Sequence, residues 1–374
     1  MNKLSIILFS AILLFGLTTG CLSPIHENAI EETLQASNEK SENISLPTTT
    51  PEQEEETITI SLTEKIPLIF SHDGAPDDIA TLIYIAKHPN IELIGVIQSY
   101  GEQHPTQSID EWQVFLFDVL DNDDTAIAIG SEKPVDPSPN EFPTSWRNSA
   151  DNFWGLDLPV KATDYDAAIG YELIINLVNN SPEKVTILVT GAQTDMALAL
   201  QEDASIADNI SQIVIMGGAF NVEGNLFEGS ESGNNKTAEW NIFVDPLAAK
   251  IVFNSGVPLS IVPLDGSDDF MINAIQHAKI RDINDPALQV LSQLWEQQLK
   301  WWGGGGFKIW DIVAATAVTN PEYFTWTYDG VDVIAEVGDS HGQTIGLNNG
   351  SQITRYASDT DFNKVRDIIF EVFQ

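Results

Sequence analysis

The sequence predicts an α/β protein with an open, mostly parallel β-sheet and helices on both faces, a Rossmann-like fold in a single domain. Three observations favour this class. Short apolar runs alternate along the chain with helical segments. The runs are almost continuously apolar, as expected for strands buried on both faces of a parallel sheet. At 43% hydrophobic residues, the 374-residue chain also has enough apolar side chains for a large core.

The first half of the chain supplies three strands and two helices. Residues 66–70, 91–97 and 126–129 are apolar runs of strand length. Residues 78–88 place apolar side chains at helical spacing, and a second helix is predicted at 105–120. Because strands that alternate with helices favour parallel pairing through right-handed crossovers, these elements predict a doubly wound sheet.

The alternation resumes after a Trp- and Pro-rich stretch at about 137–160, which we expect to be irregular. Further helices are predicted at 164–179, 193–201 and 245–254. Further strands are predicted at 185–189, 212–216 and 258–264. The second half therefore continues the same sheet.

The chain is strongly acidic, with 55 Asp and Glu residues, 17 Lys and Arg residues and a net charge of −38. Binding nucleic acid through its phosphates requires a basic surface, so this class of partner is excluded. The 17 Phe and 9 Trp residues exclude wholesale disorder. A single cysteine excludes a disulfide framework and any Cys-rich zinc or iron–sulfur site. The acidic balance is typical of a soluble surface that attracts cations.

The N-terminal segment is typical of an exported protein. Lys3 precedes an uncharged apolar run, residues 4–19, which is too short for a comfortable membrane span. Cys21 follows this run directly after Gly20, an arrangement similar to a lipoprotein processing site. We therefore expect a signal peptide at 1–20 and a membrane anchor on Cys21, at the cell surface or in the periplasm. A plain secretory signal and an uncleaved anchor are the alternatives, and both also export the chain.

A change in composition separates this segment from the rest of the chain. Residues 21–64 are polar, acidic and spotted with Pro and Thr, which favours a disordered linker that holds a domain away from a membrane. The remaining residues, 65–374, then fit one large catalytic domain.

Aspartates collect where predicted strands end. Asp73, Asp77 and Asp78 follow the first strand, and Asp265 follows the strand at 258–264. The carboxyl ends of parallel strands form the ligand-binding edge of such sheets, so we expect these side chains to converge. Packed like charges require a cation, and oxygen ligands suit a hard one, calcium before magnesium. The alternative is an acidic loop in which Asp77 or Asp78 caps the next helix.

Several short motifs occur in order along the predicted domain. They read Asp73-Gly-Ala-Pro-Asp77-Asp78, Val189-Thr190-Gly191, Met216-Gly-Gly218, Gly224-Asn225, Ala238-Glu239-Trp240-Asn241, Val262-Pro-Leu264-Asp265 and Trp310-Asp311. From about residue 66 to 324, they resemble the inosine-uridine-preferring nucleoside hydrolase family. The resemblance implies the fold of that family and calcium-dependent hydrolysis of the N-glycosidic bond of ribonucleosides to free base and ribose.

The resemblance also implies which residues hold the metal and activate water. Calcium would bind the carboxylates of Asp73, Asp78 and Asp265 and the carbonyl oxygen of Thr190. Asp77 would be the general base that takes a proton from a water held by this calcium. The late Trp310-Asp311 motif matches the start of a helix in the family.

Substrate-binding residues follow from the same motifs. Glu239 and Asn241 would hydrogen-bond the ribose hydroxyls, and Asn225 would reach the 5′ side of the sugar, with Asn234 as a competing candidate. The resemblance also implies that Glu102 lies near the ribose, and Trp240 is a candidate for stacking on the base.

Four residues are candidates for a lid or for contacts with the base. Trp146 and Arg147 lie in the irregular stretch, where a structural brace between Arg147 and Asp151 is the alternative. Trp302 precedes four glycines that favour a mobile loop over the pocket, with a phosphate cradle as the weaker alternative. Trp310 is the fourth candidate.

Three residues depart from the family pattern. Ser71 replaces an Asp that supports the metal loop, Glu102 replaces an Asn, and Leu264 occupies the place of a His that protonates the leaving base. The alternatives are therefore hydrolysis of another N-riboside, or a non-catalytic lipoprotein that binds sugars or nucleosides in the same cleft. The sequence leaves open which base is accepted and whether the protein is a homo-oligomer.

Overall fold

The fold is built around a nine-stranded sheet. The computed structural model describes residues 65–137, 140–159, 167–226 and 234–374. The predicted signal peptide, Cys21 and the linker lie outside these residues. Among the described residues, no helix is both long enough and apolar enough to cross a membrane.

The strands and helices of the described residues have the following bounds. The strands are β1 (Ile66–His72), β2 (Ile91–Gln98), β3 (Ala126–Ile129), β4 (Ala168–Ile169), β5 (Val185–Val189), β6 (Ile210–Met216), β7 (Leu259–Val262), β8 (Met271–Ile272), β9 (Phe307–Lys308), β10 (Phe324–Tyr328), β11 (Val331–Val333), β12 (Thr344–Gly346) and β13 (Thr354–Thr360). The helices are α1 (Pro76–Lys87), α2 (Pro105–Gln113), α3 (Thr144–Asp151), α4 (Gly170–Asn180), α5 (Thr194–Glu202), α6 (Trp240–Phe243), α7 (Pro246–Phe253), α8 (Leu264–Ser267), α9 (Ala274–Ile280), α10 (Pro286–Trp301), α11 (Asp311–Thr319) and α12 (Phe362–Val372). Short 3₁₀ turns cover Phe153–Gly155, Ala204–Asn209 and Pro321–Tyr323, and a π-helical turn covers Val114–Val119.

The central sheet has the strand order β10-β13-β7-β6-β5-β1-β2-β3-β4. Its neighbouring strands are parallel except for the edge pair β10 and β13. The chain starts in the middle at β1, moves outward to β4, and then continues on the other side of β1 from β5. This reversal creates a crevice at the carboxyl ends of β1 and β5, where such sheets bind ligands. The predicted open, mostly parallel sheet is confirmed.

Helices cover both faces of the sheet. Leu68 and Phe70 of β1 belong to an apolar cluster with residues of α1, α10 and α11. Ile69 belongs to a second cluster with residues of α4, α5 and α7. Since alternate residues of a strand point to opposite faces, β1 is buried on both sides from Leu68 to His72, as a continuous apolar run predicts.

Two helix boundaries differ from the prediction by more than two residues. The helix expected at 105–120 ends at Gln113 and continues as the π-helical turn. The helix expected at 164–179 begins at Gly170, directly after the short edge strand β4. In both cases the prediction locates the helix correctly but misplaces one of its ends.

The strand expected at 258–264 ends at Val262, and this difference affects the site. Pro263 has no N–H to donate to a neighbouring strand, and the next four residues form α8. Strand β13 pairs in parallel with β7 but was not predicted, because its sequence TRYASDT is mostly polar.

Candidate active site

Four buried aspartates converge at the carboxyl end of β1. Asp73 follows β1, Asp77 and Asp78 lie in the first turn of α1, and Asp311 is the first residue of α11. None of the four is more than 6% exposed. They meet because α11 packs against α1 beneath the crevice.

Burial dominates the electrostatics of these aspartates. It raises the pKa of Asp73 to about 7, although the Glu102 amide lowers it, and the charge of Asp77 adds to the rise. Burial also raises the pKa of Asp77, and it raises those of Asp78 and Asp311 well above their ordinary range with the help of the neighbouring aspartates. No Lys or Arg ion pair among the described residues involves any of the four. Their negative charge is therefore not balanced by the protein around them.

Asp265 does not join this group, contrary to the expectation from the sequence. Its carboxylate accepts hydrogen bonds from the N–H groups of Phe220 and Asn221 at 2.9 and 2.8 Å. The physical reason is the early end of β7, because Asp265 then lies in α8 and faces the loop after β6 instead of standing at a strand end. Asp311 supplies the fourth carboxylate. The Trp310-Asp311 motif is the sequence signal for it, although the resemblance relates this motif only to the start of a helix.

Asp77 and Asp311 are tied together directly. Oδ2 of Asp77 accepts hydrogen bonds from the N–H groups of Trp310 at 2.8 Å and of Asp311 at 3.2 Å. The two side chains share a further hydrogen bond. These N–H groups lie at the start of α11, where the helix dipole also favours a negative charge. The Asp77 carboxylate is therefore held in one orientation.

Asp73 and Asp78 are held mainly by backbone N–H groups. Oδ2 of Asp73 accepts a hydrogen bond from the N–H of Glu102 at 3.1 Å. Asp78 accepts one from the hydroxyl of Thr190 at 2.7 Å and one from the N–H of Ala75 at 2.9 Å. Since Ala75 precedes the first turn of α1, Asp78 takes part in capping this helix as well as in the aspartate group.

Two glycines allow neighbouring loops to approach Asp73. A Cβ placed on Gly101 would lie 2.3 Å from the Cβ of Asp73, and one placed on Gly191 would lie 2.5 Å from it. Both distances are far inside the roughly 3.5–4.0 Å at which carbon atoms pack. The glycine of the Thr190-Gly191 motif therefore allows the chain after β5 to pack directly against Asp73.

Two predicted ribose-binding residues form a hydrogen-bonded group around α6. Glu239 accepts hydrogen bonds from the N–H groups of Gly218 and Asn241, both at 3.0 Å, and burial raises its pKa to about 7. The side-chain amide of Asn241 donates to the carbonyl oxygens of Thr190 at 2.9 Å and Met216 at 3.2 Å. This amide thus orients the Thr190 carbonyl, and ribose binding by both residues stays a prediction.

Asn225 and Trp240 meet at the start of α6. Oδ1 of Asn225 accepts the N–H of Trp240 at 3.0 Å, so Asn225 orders the start of this helix. The indole of Trp240 stacks on Phe142 with ring centroids 4.8 Å apart. Asn234, the competing candidate, is exposed. The structure therefore places Asn225 in contact with the α6 group.

Glu102 extends the acidic group toward the end of β2. It is only 9% exposed. Burial raises the pKa of its carboxyl well above the ordinary range, and the charges of Asp73 and Asp77 add to this effect. Glu102 therefore brings a fifth carboxyl group to the aspartates.

The candidate lid residues separate into two sets. Trp146 packs on Trp240 with ring centroids 5.8 Å apart, and buried Arg147 lies over the ring of Tyr100 at 5.7 Å. Trp310 adjoins the aspartates through its backbone contact with Asp77. Trp302, by contrast, is 54% exposed just after the end of α10.

The alternative brace between Arg147 and Asp151 is wrong. Arg147 pairs with Glu141 at 3.5 Å. Asp151 instead accepts hydrogen bonds from the N–H and Nδ1 of His104, at 2.8 and 2.7 Å. Helix α3 is therefore fastened to the loop that carries Glu102.

The donor atoms of the site suit a hard cation. Asp73, Asp78 and Asp311 offer carboxylate oxygens and Thr190 offers a carbonyl oxygen, the ligands that calcium prefers. A cation would also balance the buried negative charge. Within the described parts of the chain, no three Asp, Glu, His or Cys side chains already stand in a complete metal-binding group. Charge and atom type thus fit calcium.

Related proteins match most of the domain. The family model described as inosine-uridine preferring nucleoside hydrolase matches residues 68–367. The chain is 30% identical over 292 residues to the pyrimidine-specific ribonucleoside hydrolase RihA of Salmonella paratyphi C, which covers 75% of this chain and 88% of the relative. It is 29% identical over 288 residues to the probable uridine nucleosidase 1 of Oryza sativa, covering 74% of this chain and 84% of the relative.

Solved structures share the fold. A purine-preferring ribonucleoside hydrolase from Gardnerella vaginalis superposes with a TM-score of 0.73 at 24% identity, over 82% of this chain and 98% of that one. An inosine-uridine preferring nucleoside hydrolase from Bacillus anthracis gives a TM-score of 0.67 at 24% identity, over 82% and 99%. The family match adds the chemistry to the fold: this chain belongs to the inosine-uridine preferring nucleoside hydrolases, enzymes that hydrolyse the N-glycosidic bond of ribonucleosides.

Proposed function

We propose that this protein hydrolyses ribonucleosides to free base and ribose in a calcium-dependent reaction, with Asp77 as the general base. One observation carries the proposal. Four buried aspartates converge at the carboxyl end of β1, and no described Lys or Arg neutralises them. A site of this kind is matched to a cation and to a substrate that becomes positively charged as it reacts.

Calcium would be held by the carboxylates of Asp73, Asp78 and Asp311 and by the carbonyl oxygen of Thr190. When bound, calcium supplies positive charge that lowers the pKa of water and orients sugar hydroxyls. Asp311 takes the role that the family resemblance implied for Asp265, because its carboxylate lies with those of Asp73 and Asp78.

Asp77 would take a proton from the attacking water. Its carboxylate is held by two N–H groups of α11, and a fixed orientation favours proton transfer. Attack at the anomeric carbon passes through a transition state with positive charge on the sugar ring. The surrounding carboxyl groups, including Glu102, stabilise that charge, which gives the acidity of the site a catalytic purpose.

The base would stack on Trp310. Its backbone N–H binds Asp77, and its indole Nε1 donates to Asp268 at 3.0 Å, which fixes the ring next to the aspartates. Stacking of this kind favours any planar base and does not distinguish bases by hydrogen bonds to their edges. The relatives are named for pyrimidine, uridine, purine and inosine-uridine substrates, so family membership leaves the base open.

A panel of nucleosides tests this function. Purified full-length protein is incubated with uridine, cytidine, inosine, adenosine or guanosine, in calcium or in a calcium chelator, and released ribose is measured. We expect ribose in calcium, none in chelator, and recovery when calcium is restored. Nucleoside binding without ribose release would favour the non-catalytic alternative. Equal ribose release with and without the chelator would contradict the calcium assignment.

Substitution of two aspartates tests the assignment of Asp311. Asp311→Asn is expected to weaken calcium binding by more than about 100-fold, because changes outside the ligand shell already cost roughly 10–100-fold. Asp265→Asn, the matched control, is expected to stay within about twofold of the parent, since its carboxylate binds the loop after β6. Isothermal titration calorimetry measures both. The opposite ranking would return the ligand role to Asp265.

We also propose that lipidation of Cys21 anchors the protein outside the cytoplasm. The support is the position of this single cysteine after a short apolar run. Cys21→Ser is expected to move the protein from the membrane fraction to the soluble exported fraction, as scored by immunoblotting, while Ser23→Ala leaves it on the membrane. A Cys21→Ser protein that stays with the membrane would favour the uncleaved anchor.

A further inference from the structure

His72 places an imidazole at the end of an apolar stripe. It is the last residue of β1 and precedes Asp73. Phe70 and His72 point to the same face of the sheet, because side chains alternate along a strand. The imidazole stacks on Phe70 at 5.0 Å between centroids and lies 4.2 Å from the ring of Trp112. An apolar side chain would pack more favourably at this position, unless the imidazole nitrogens serve a function.

The imidazole is buried without a hydrogen bond. His72 is 0% exposed, and neither Nδ1 nor Nε2 has a partner among the described residues. Burial lowers the pKa of His72 to about 3, so the ring is neutral at neutral pH. A buried polar group without a partner destabilises a fold, and few such groups occur in native proteins.

The nearest carboxylate indicates what the ring is for. Nδ1 of His72 lies 3.8 Å from Oδ2 of Asp78, beyond the roughly 2.7–3.2 Å of an N–H···O bond. Oδ2 accepts one hydrogen bond, from the N–H of Ala75. A carboxylate oxygen has two lone pairs, so Oδ2 can accept a second donor. A displacement of less than about 1 Å would close the gap.

We propose that His72 is a positioning residue that donates a hydrogen bond from Nδ1 to Oδ2 of Asp78 and so orients this carboxylate for the cation. The inference rests on the proposed function, in which Asp78 is a calcium ligand. Phe70 stacks on the ring and Trp112 packs against it at a tilt, which restricts how far Nδ1 can turn away from Asp78. Groups that orient metal ligands in this way typically change metal affinity by about 10–100-fold.

Three substitutions in the full-length protein separate the nitrogen from the packing of the ring. His72→Asn places an amide N–H near the position of Nδ1, His72→Gln places one near Nε2, and His72→Phe keeps the ring without a donor. We expect the Asn variant to bind calcium within about threefold of the parent, and the Gln and Phe variants to bind at least about tenfold more weakly. Titration calorimetry of chelator-treated protein gives the dissociation constants, and thermal unfolding without calcium gives the stability of each variant.

Tyr84→Phe is the matched control. It removes a hydrogen bond to Thr319 from the buried part of α1 and does not touch Asp78. We expect a lower thermal midpoint with unchanged calcium affinity, which separates the loss in His72→Phe from general weakening of the helix. Parent-like calcium affinity in His72→Phe, or an equal loss in all three variants, would overturn the proposal and leave the calcium site standing. A parent protein that does not bind calcium would overturn the proposed function and this inference with it.

Discussion

Replacing Asp77 with Asn is expected to lower kcat for nucleoside hydrolysis by about 1,000-fold, within the roughly 10²–10⁴-fold that a general base contributes. Asn has almost the same shape as Asp and still accepts the N–H groups of Trp310 and Asp311. Asn has no carboxylate to receive a proton from water, so the substitution removes the general base and preserves the fold. Calcium affinity is expected to stay close to that of the parent. Steady-state kinetics and titration calorimetry measure the two quantities on the same preparation.

Asp73→Asn is the control for this result. Asp73 is assigned as a calcium ligand, so its substitution is expected to weaken calcium binding and turnover together, with partial recovery of turnover at high calcium. The pKa of Asp73, about 7, would also suit a base. If Asp73→Asn stays inactive at saturating calcium while Asp77→Asn retains turnover, the base is Asp73. A loss of calcium affinity in Asp77→Asn as large as its loss of turnover would also contradict the assignment.

The sheet could be predicted from the sequence because its central strands are apolar at nearly every position. Strand β5, residues 185–189, was placed at its true ends for this reason. Strand β13 could not be found in the same way. It has mostly polar residues, and its place beside β7 depends on backbone pairing between segments about 95 residues apart, as in Arg355 with Ser260.

The site was predictable where its residues are neighbours in the sequence. Asp73, Asp77 and Asp78 follow one strand, so the fold class alone brings them to the ligand-binding edge. The choice between Asp265 and Asp311 depends on two features that apolar spacing does not encode. One is the turn into α8 directly after β7, and the other is the packing of α11 on α1. The partnerless nitrogens of His72 likewise become visible only when its surroundings are known.

Without calcium, the protein is expected to lose stability as the pH rises from about 6.5 to about 8.5. Burial raises the pKa of Asp73 and Glu239 to about 7, and it raises those of Asp78, Glu102 and Asp311 well above their ordinary range. The folded protein therefore keeps protons that the unfolded chain releases near pH 4, and the free energy of unfolding falls as these protons are lost. The full rise for Asp73 corresponds to on the order of 4 kcal/mol spread from about pH 4 to about pH 7, so only its last part, on the order of 1 kcal/mol, is lost above pH 6.5.

Above pH 6.5, the change in the free energy of unfolding reports these carboxyl groups and not the histidines. His72 has the opposite effect and lowers the free energy of unfolding as the pH falls. Its pKa is about 3 in the folded protein, so only the unfolded chain takes up a proton there. That contribution is confined to pH values below the ordinary histidine pKa of about 6.5. Asp195, with its pKa raised to about 6 by burial, is already mostly ionised at the start of the window.

Calcium is expected to reverse this trend and to raise the thermal midpoint more at pH 8.5 than at pH 6.5. The cation binds ionised carboxylates of the folded state, and its stabilising effect grows with the ratio of free calcium to the dissociation constant. Scanning calorimetry at both pH values, in chelator and in saturating calcium, gives the four midpoints. Asp265→Asn is expected to match the parent, whereas Asp311→Asn, with one buried charge fewer, is expected to lose less stability between the two pH values in chelator. A chelated parent whose midpoint stays constant or rises across this window would show that the buried aspartates are not the unbalanced charge on which the calcium assignment depends.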